Sequence, residues 1–90
     1  MKKAIVTVIG EDKVGIIAQI STLLMEHNVN IIDLTQKVLE NIFTMTMIVD
    51  VSKVSASFEA LNDALQQAGE KMGLDIRIQR TEIFTAMHRI

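Results

Sequence analysis

The chain has 90 residues, no cysteine, no proline and a net charge of −2, with 9 basic and 11 acidic residues interspersed along it. Without cysteine there are no disulfides, thiolate metal sites or cysteine nucleophiles, and the balanced charge leaves no electrostatic footprint for nucleic acid or an anionic membrane surface. Apolar residues make up 49% of the chain, enough for one core in one domain, and no apolar run reaches the length of a membrane span.

The Lys2-Lys3 start lacks the apolar core and cleavage site of a signal peptide, so a cytoplasmic location is expected. Residues 3–9 then read as a strand, with Val6 and Val8 on one face and Ile5, Thr7 and Ile9 on the other. A strand apolar on both faces suits the centre of a sheet.

At Gly10-Glu11-Asp12-Lys13-Val14-Gly15-Ile16 the period of 2 gives way to one of 3.6. A strand-to-helix corner leaves the first helical N–H groups without partners at the positive end of the helix dipole, where a small anion such as a carboxylate fits. Gly10 is expected to turn the chain at an unusual φ, and Gly15 to let a ligand approach the first helical turn closely. Asp12 is expected to cap that turn through its side chain. The competing reading of the same residues is a capped turn with no ligand.

The spacing predicts a helix over 14–27, with Val14, Ile17, Ile20, Leu23 and Leu24 as its apolar stripe. His27 has no companion at a useful spacing and reads as a helix C-terminal histidine favoured by the dipole, while Asn28 suits a left-handed stop. Residues 30–39 read as a second strand, with Ile32, Leu34 and Val38 on one face and Ile31, Asp33, Thr35 and Lys37 on the other. A short turn near Glu40-Asn41 leads into a third strand at 42–51, making a hairpin. In that strand Phe43, Met45, Met47 and Val49 face the helices, and the methionines read as packing rather than as a copper site because no histidine or cysteine accompanies them.

The polar link Ser52 to Ser57 offers caps for a second helix running to about Met72, with Phe58, Leu61, Leu65, Ala68 and Met72 as its stripe. Gly69 weakens that helix and Gly73 stops it. Residues 74–82 read as a fourth strand with Leu74, Ile76 and Ile78 inward. The tail 83–90 has apolar residues at Ile83, Phe84, Met87 and Ile90, a one-sided short helix.

The order βαββαβ predicts an α+β, ferredoxin-like domain over 1–82: a four-stranded antiparallel sheet of order 4-1-3-2 with both helices on one face, followed by the tail. The other face is expected to carry Thr7, Thr44, Thr46, Arg77 and Gln79 together with Ile5, Ile9, Ile31 and Ile48. Those four isoleucines call for a cover, and the edge strand 30–39 offers a free ladder, so a homo-oligomer, a dimer in the simplest case, is expected.

This fold serves many functions. An RNA-recognition motif needs aromatics on the central strands, which are missing here on the outward face. A metal chaperone of this shape needs Cys-x-x-Cys, and an acylphosphatase needs an arginine in the first loop, where this chain has Glu11, Asp12 and Lys13. Two segments carry a resemblance: Val8-Ile9-Gly10-Glu11-Asp12-Lys13-Val14-Gly15-Ile16-Ile17, and Asn28-Val29-Asn30-Ile31-Ile32-Asp33-Leu34. Across residues 3 to about 82 the chain resembles the ACT domain, and more closely the small stand-alone bacterial members similar to the regulator of the glycine cleavage system.

The resemblance implies a regulatory module that binds a small amino acid between the first loop of one copy and strand two of another. Asp12 and Asn30 would then meet the ligand's polar groups, the N–H groups of Val14, Gly15 and Ile16 its carboxylate, and Gly10 and Ile31 would complete the set. Two residues depart from the pattern: Val14 stands where many members have proline, and Asp12 where serine-binding members have asparagine. The alternative is an interaction module that binds an enzyme or regulator and has no functional ligand pocket. No cofactor is called for. An enzyme is not expected, since neither histidine has a companion to form a catalytic pair.

Overall fold

Every second residue of the first strand is buried, and the rest of the architecture is laid against it. In this computed structural model, which describes residues 2–81, β1 (Lys3–Glu11) buries Ala4, Val6 and Val8. It is followed by α1 (Ile16–Glu26), β2 (Asn30–Leu39), β3 (Ile42–Asp50), α2 (Phe58–Met72) and β4 (Leu74–Arg80). The tail expected over 83–90 lies outside the described residues.

The four strands form one antiparallel sheet of order β2-β3-β1-β4, the expected 4-1-3-2 counted from the other edge. Phe43, Met45, Met47 and Val49 of β3 and Leu74, Ile76 and Ile78 of β4 share the buried face with β1. Ile16, Ile20 and Leu24 of α1 and Leu61 and Leu65 of α2 close the core over that face. Among the described residues the other face has no helix. The fold is a ferredoxin-like βαββαβ domain.

The local signals explain the element ends. Ser57 caps α2 by accepting from the Ala60 N–H at 3.1 Å, and Gly73 closes the helix in a left-handed conformation. Asn28 takes φ 61° after α1. Glu40 and Asn41, at φ 50° and 69°, make the two-residue hairpin turn whose twist matches the flanking strands.

Three expectations are corrected. Helix α1 begins at Ile16, not at residue 14, because Gly15 sits at φ 87° and breaks the helical phase. Val14 is thereby left fully exposed, and Ile16 takes its place in the core. Gly10 is not a turn residue. It stays in β1, opposite Phe43 and Leu74, where an added Cβ would collide with the Leu74 side chain.

The third correction concerns β2, which carries a bulge between Ile31 and Asp33. Past it Leu34 and Val38 lie opposite Met47 and Phe43 on the helix side, as expected. Before it Ile31 lies opposite Val49, so Ile31 and not Ile32 has the helix-side place. One extra residue reverses the parity of a strand. The helix-free face therefore carries Ile5, Ile9 and Ile48 but not Ile31.

Candidate functional site

The corner between β1 and α1 is held from two directions. The Asp12 N–H donates to the Asn41 carbonyl at 2.8 Å, tying the corner to the tip of the β2–β3 hairpin. The Lys13 ammonium donates to the Met72 carbonyl at 2.8 Å, at the negative end of the α2 dipole. That contact engages the Lys13 cation with the end of α2.

Gly15 is the N-cap of α1, and no side chain caps the helix. Asp12, expected to do so, does not: with Gly15 in the left-handed region, the chain approaches the first turn from another side. Among the described residues the Asp12 carboxylate accepts no hydrogen bond. The leading N–H groups of α1 and a free carboxylate thus stand side by side, offering donors to an anion and an acceptor to a cation.

These groups form one wall of a cleft of about 210 Å³. Asp12, Lys13, Gly15 and the first turn of α1 make that wall, and Gln36, Val38 and Phe43 of the hairpin make the other. The volume lies below the range of drug-sized pockets and suits a small metabolite. Gln36 was not singled out from the sequence. The available signal was its position, a polar residue between Leu34 and Val38 on the apolar side of β2.

Of the expected site residues, the structure gathers Asp12, Gly15 and Ile16 at this cleft. Val14 stands in solvent beside it, and Gly10 lies behind it, packed on Leu74. Asn30 and Ile31 are not brought there. They begin β2 opposite Asp50 and Val49, and Val38 at the cleft is eight residues further along the strand, roughly 26 Å of extended chain. One copy of the chain does not unite the seven residues.

Beside Asn30, the Asp50 carboxylate accepts from the Ser52 N–H at 3.0 Å and from the Ser52 hydroxyl at 2.7 Å. Those bonds, the backbone one foremost, hold its carboxyl below the ordinary aspartate range. A larger groove of about 540 Å³ runs between the helices, lined by small residues such as Ala18, Ala64 and Ala68. There the His27 Nδ1 is turned back onto the Leu23 carbonyl oxygen at 2.9 Å. We therefore place the candidate site at the smaller cleft, where fixed donors and a free carboxylate meet. Among the described residues no cluster of three His, Asp or Glu could hold a metal ion, and no helix is long and apolar enough to cross a membrane.

Comparison with known proteins identifies the family of this fold. A sequence profile of the ACT domain matches residues 2–79. A UPF0237 protein of Methanopyrus kandleri is 48% identical over 90 residues, covering all of both chains. An ACT domain protein from Streptococcus pneumoniae superimposes with a TM-score of 0.81 at 38% identity, over 92% of this chain and 93% of that one. A putative glycine cleavage system transcriptional repressor superimposes with a TM-score of 0.75 at 25% identity, over 89% of this chain and 46% of the other. The chain belongs to the ACT domain family.

Proposed function

We propose that the chain is a regulatory module that binds a small amino acid and works as a homo-oligomer, a dimer in the simplest case, in the control of amino acid metabolism. The observation that carries this reading is the pairing at the corner: uncapped N–H groups at the start of α1 beside the unpaired Asp12 carboxylate, over a cleft of about 210 Å³. The α-carboxylate of the ligand meets the first and its ammonium the second.

The distance from Asn30 to the cleft supports a site shared between copies, with Asn30 and Ile31 of a neighbour completing what one chain leaves open. The apolar surface supports the same assembly. Ile31, Ile32, Val38 and Leu39 are all exposed on β2, the edge strand, whose outer ladder is unpaired. Kinship with a putative repressor of the glycine cleavage system favours a role in amino acid metabolism.

A thermal-shift screen with the twenty amino acids tests the reading. A ligand at a hundred times its Kd adds about 2.7 kcal/mol, enough to raise the melting temperature of a domain this small by roughly 10 °C or more. If no amino acid at millimolar concentration moves the transition, the cleft is no amino acid site and the chain is an interaction module.

A further inference from the structure

We propose that a pocket at the start of β1 binds the phosphate group of a small metabolite. The pocket has a volume of about 270 Å³ and lies between Lys2, Arg80 of β4, Phe58 of α2 and the loop after β3. Two cations share it. Among the described residues no carboxylate lines it, and neither cation has an ion pair or a side-chain hydrogen bond.

Strand register brings the two charges together. Arg80 lies opposite Ala4, and Lys2, two residues ahead of Ala4, falls on the same face. Such diagonal neighbours stand roughly 7–8 Å apart, so each cation raises the potential at the other. Ala4 is fully buried, which makes this the helix side of the sheet. There the Arg80 guanidinium lies over the Phe58 ring, 4.2 Å from its centroid. The ring holds the guanidinium without offering an oxygen acceptor, so its fork of N–H donors stays available for two oxygens of one anion. Arg77, three residues earlier, is instead paired with Asp75 at 3.3 Å.

The walls are set before a ligand arrives, which lowers the ordering cost of binding. The Val51 N–H donates to the Lys2 carbonyl at 2.8 Å, and the Val54 N–H closes the following turn on the Val51 carbonyl at 3.2 Å. The Asn28 side-chain amide donates to the Lys53 carbonyl at 2.8 Å, and the Ser55 N–H to the His27 carbonyl at 2.9 Å. Asp50 alternates with the buried Val49 and Val51 and so leaves the sheet on the opposite face, its carboxylate engaged by Ser52. A phosphate monoester carries about −1.5 to −2 charge at pH 7 and matches two cations, where a carboxylate matches one. The volume leaves room for a small carrier and stays below the range of drug-sized sites. The full length of β1, roughly 27 Å of strand, separates this pocket from the cleft at Asp12.

Titration of the full chain with glycerol 3-phosphate or inorganic phosphate, followed by amide NMR at constant ionic strength, tests the site. Glycerol 3-phosphate should give saturable shifts at Ser52, Val54 and Phe58 and none at Gly15 and Ile16. It should also bind more tightly than inorganic phosphate. Lys2→Gln alters only an exposed side chain ahead of β1 and should weaken binding about tenfold, as one lost charge-assisted bond does. Arg80→Lys keeps the charge but loses the fork, and should weaken binding by a similar factor. Shifts centred on Gly15 and Ile16 would give the phosphate to the cleft. Shifts that sodium chloride reproduces would be screening alone, and equal affinity for the two probes would make the free ion the occupant. Unchanged binding in Lys2→Gln would put the anion elsewhere. Each of these results overturns the proposal.

Discussion

The Lys13 ammonium rests on the Met72 carbonyl oxygen, 59 residues away in sequence, and so fastens the loop after β1 to the last turn of α2. One contact gives the C-terminus of a helix a cationic partner. Lys13→Met keeps the stem and loses the charge, and should destabilise the fold by about 0.3–1 kcal/mol, the usual value of a cation at an exposed helix end. Urea unfolding with an unchanged midpoint would mean that the contact carries no stability.

Gly10 and Gly15 should fail for different reasons. At Gly15 an added Cβ meets no obstacle, only an ordinary contact with the Gln19 Nε2 at 3.8 Å, so Gly15→Ala costs about 1–2 kcal/mol through its positive φ. At Gly10 the obstacle is the Leu74 side chain. Trimming that side chain in a Gly10→Ala/Leu74→Ala double variant should therefore cost less than the sum of the two single changes. For Gly15→Ala with Leu74→Ala the costs should simply add. Equal additivity in both pairs would contradict the packing described at Gly10.

Because Asp12 does not cap α1, it can be removed cleanly. Asp12→Ala and Asn30→Ala should each leave stability within about 0.5 kcal/mol of the parent, as is usual at exposed positions. Each should weaken amino acid binding about tenfold or more, for one lost charge-assisted bond of ~1.5–3 kcal/mol. The two variants can then be mixed. If each site draws Asp12 from one copy and Asn30 from the other, a mixed dimer contains one intact site and one doubly impaired site, so a fully exchanged equimolar mixture, half of it mixed dimers, should regain about a quarter of the tight sites on calorimetry. No recovery, with subunit exchange verified by mass spectrometry, would place both residues in the same copy's site or outside it.

Asp50 should titrate below an ordinary aspartate by NMR, and Ser52→Ala should raise it. A carboxyl whose folded pKa is depressed adds stability above its unfolded pKa and loses it as pH falls through the folded value. Ser52→Ala should thus be slightly less stable than the parent at neutral pH, with the difference vanishing in strong acid. The opposite trend, a gap widening towards low pH, would contradict the assignment of the Ser52 bonds as its cause.

Much of this was legible in the sequence because the signals were local and redundant. Val6 and Val8, Met45 and Met47, and Leu74, Ile76 and Ile78 repeat at a period of 2, and Ser57 and Gly73 bracket a 3.6-residue pattern. The misreadings share one physical cause, a change of phase that leaves composition untouched. Val14 and Ile16 are both apolar, and only the φ of Gly15 decides which enters the core. Ile31 and Ile32 are identical neighbours, so no hydropathy pattern shows that an extra residue sits between Ile31 and Asp33. At the site, the donors at the helix start could be inferred from the corner's glycines, but Gln36 faces the cleft through a tertiary approach of the hairpin to α1. Spacing along one segment does not encode that approach.

The bulge in β2 has a consequence for growth. An open edge strand is a template on which further chains can stack without limit. On β2 an incoming strand meets a regular ladder only from Asp33 to Leu39; at Ile32 the sequence of donors and acceptors falls out of step. A single surplus residue thus acts as a full stop. It confines regular pairing to the short stretch from Asp33 to Leu39 and works against the long flat pairing from which a fibre is built.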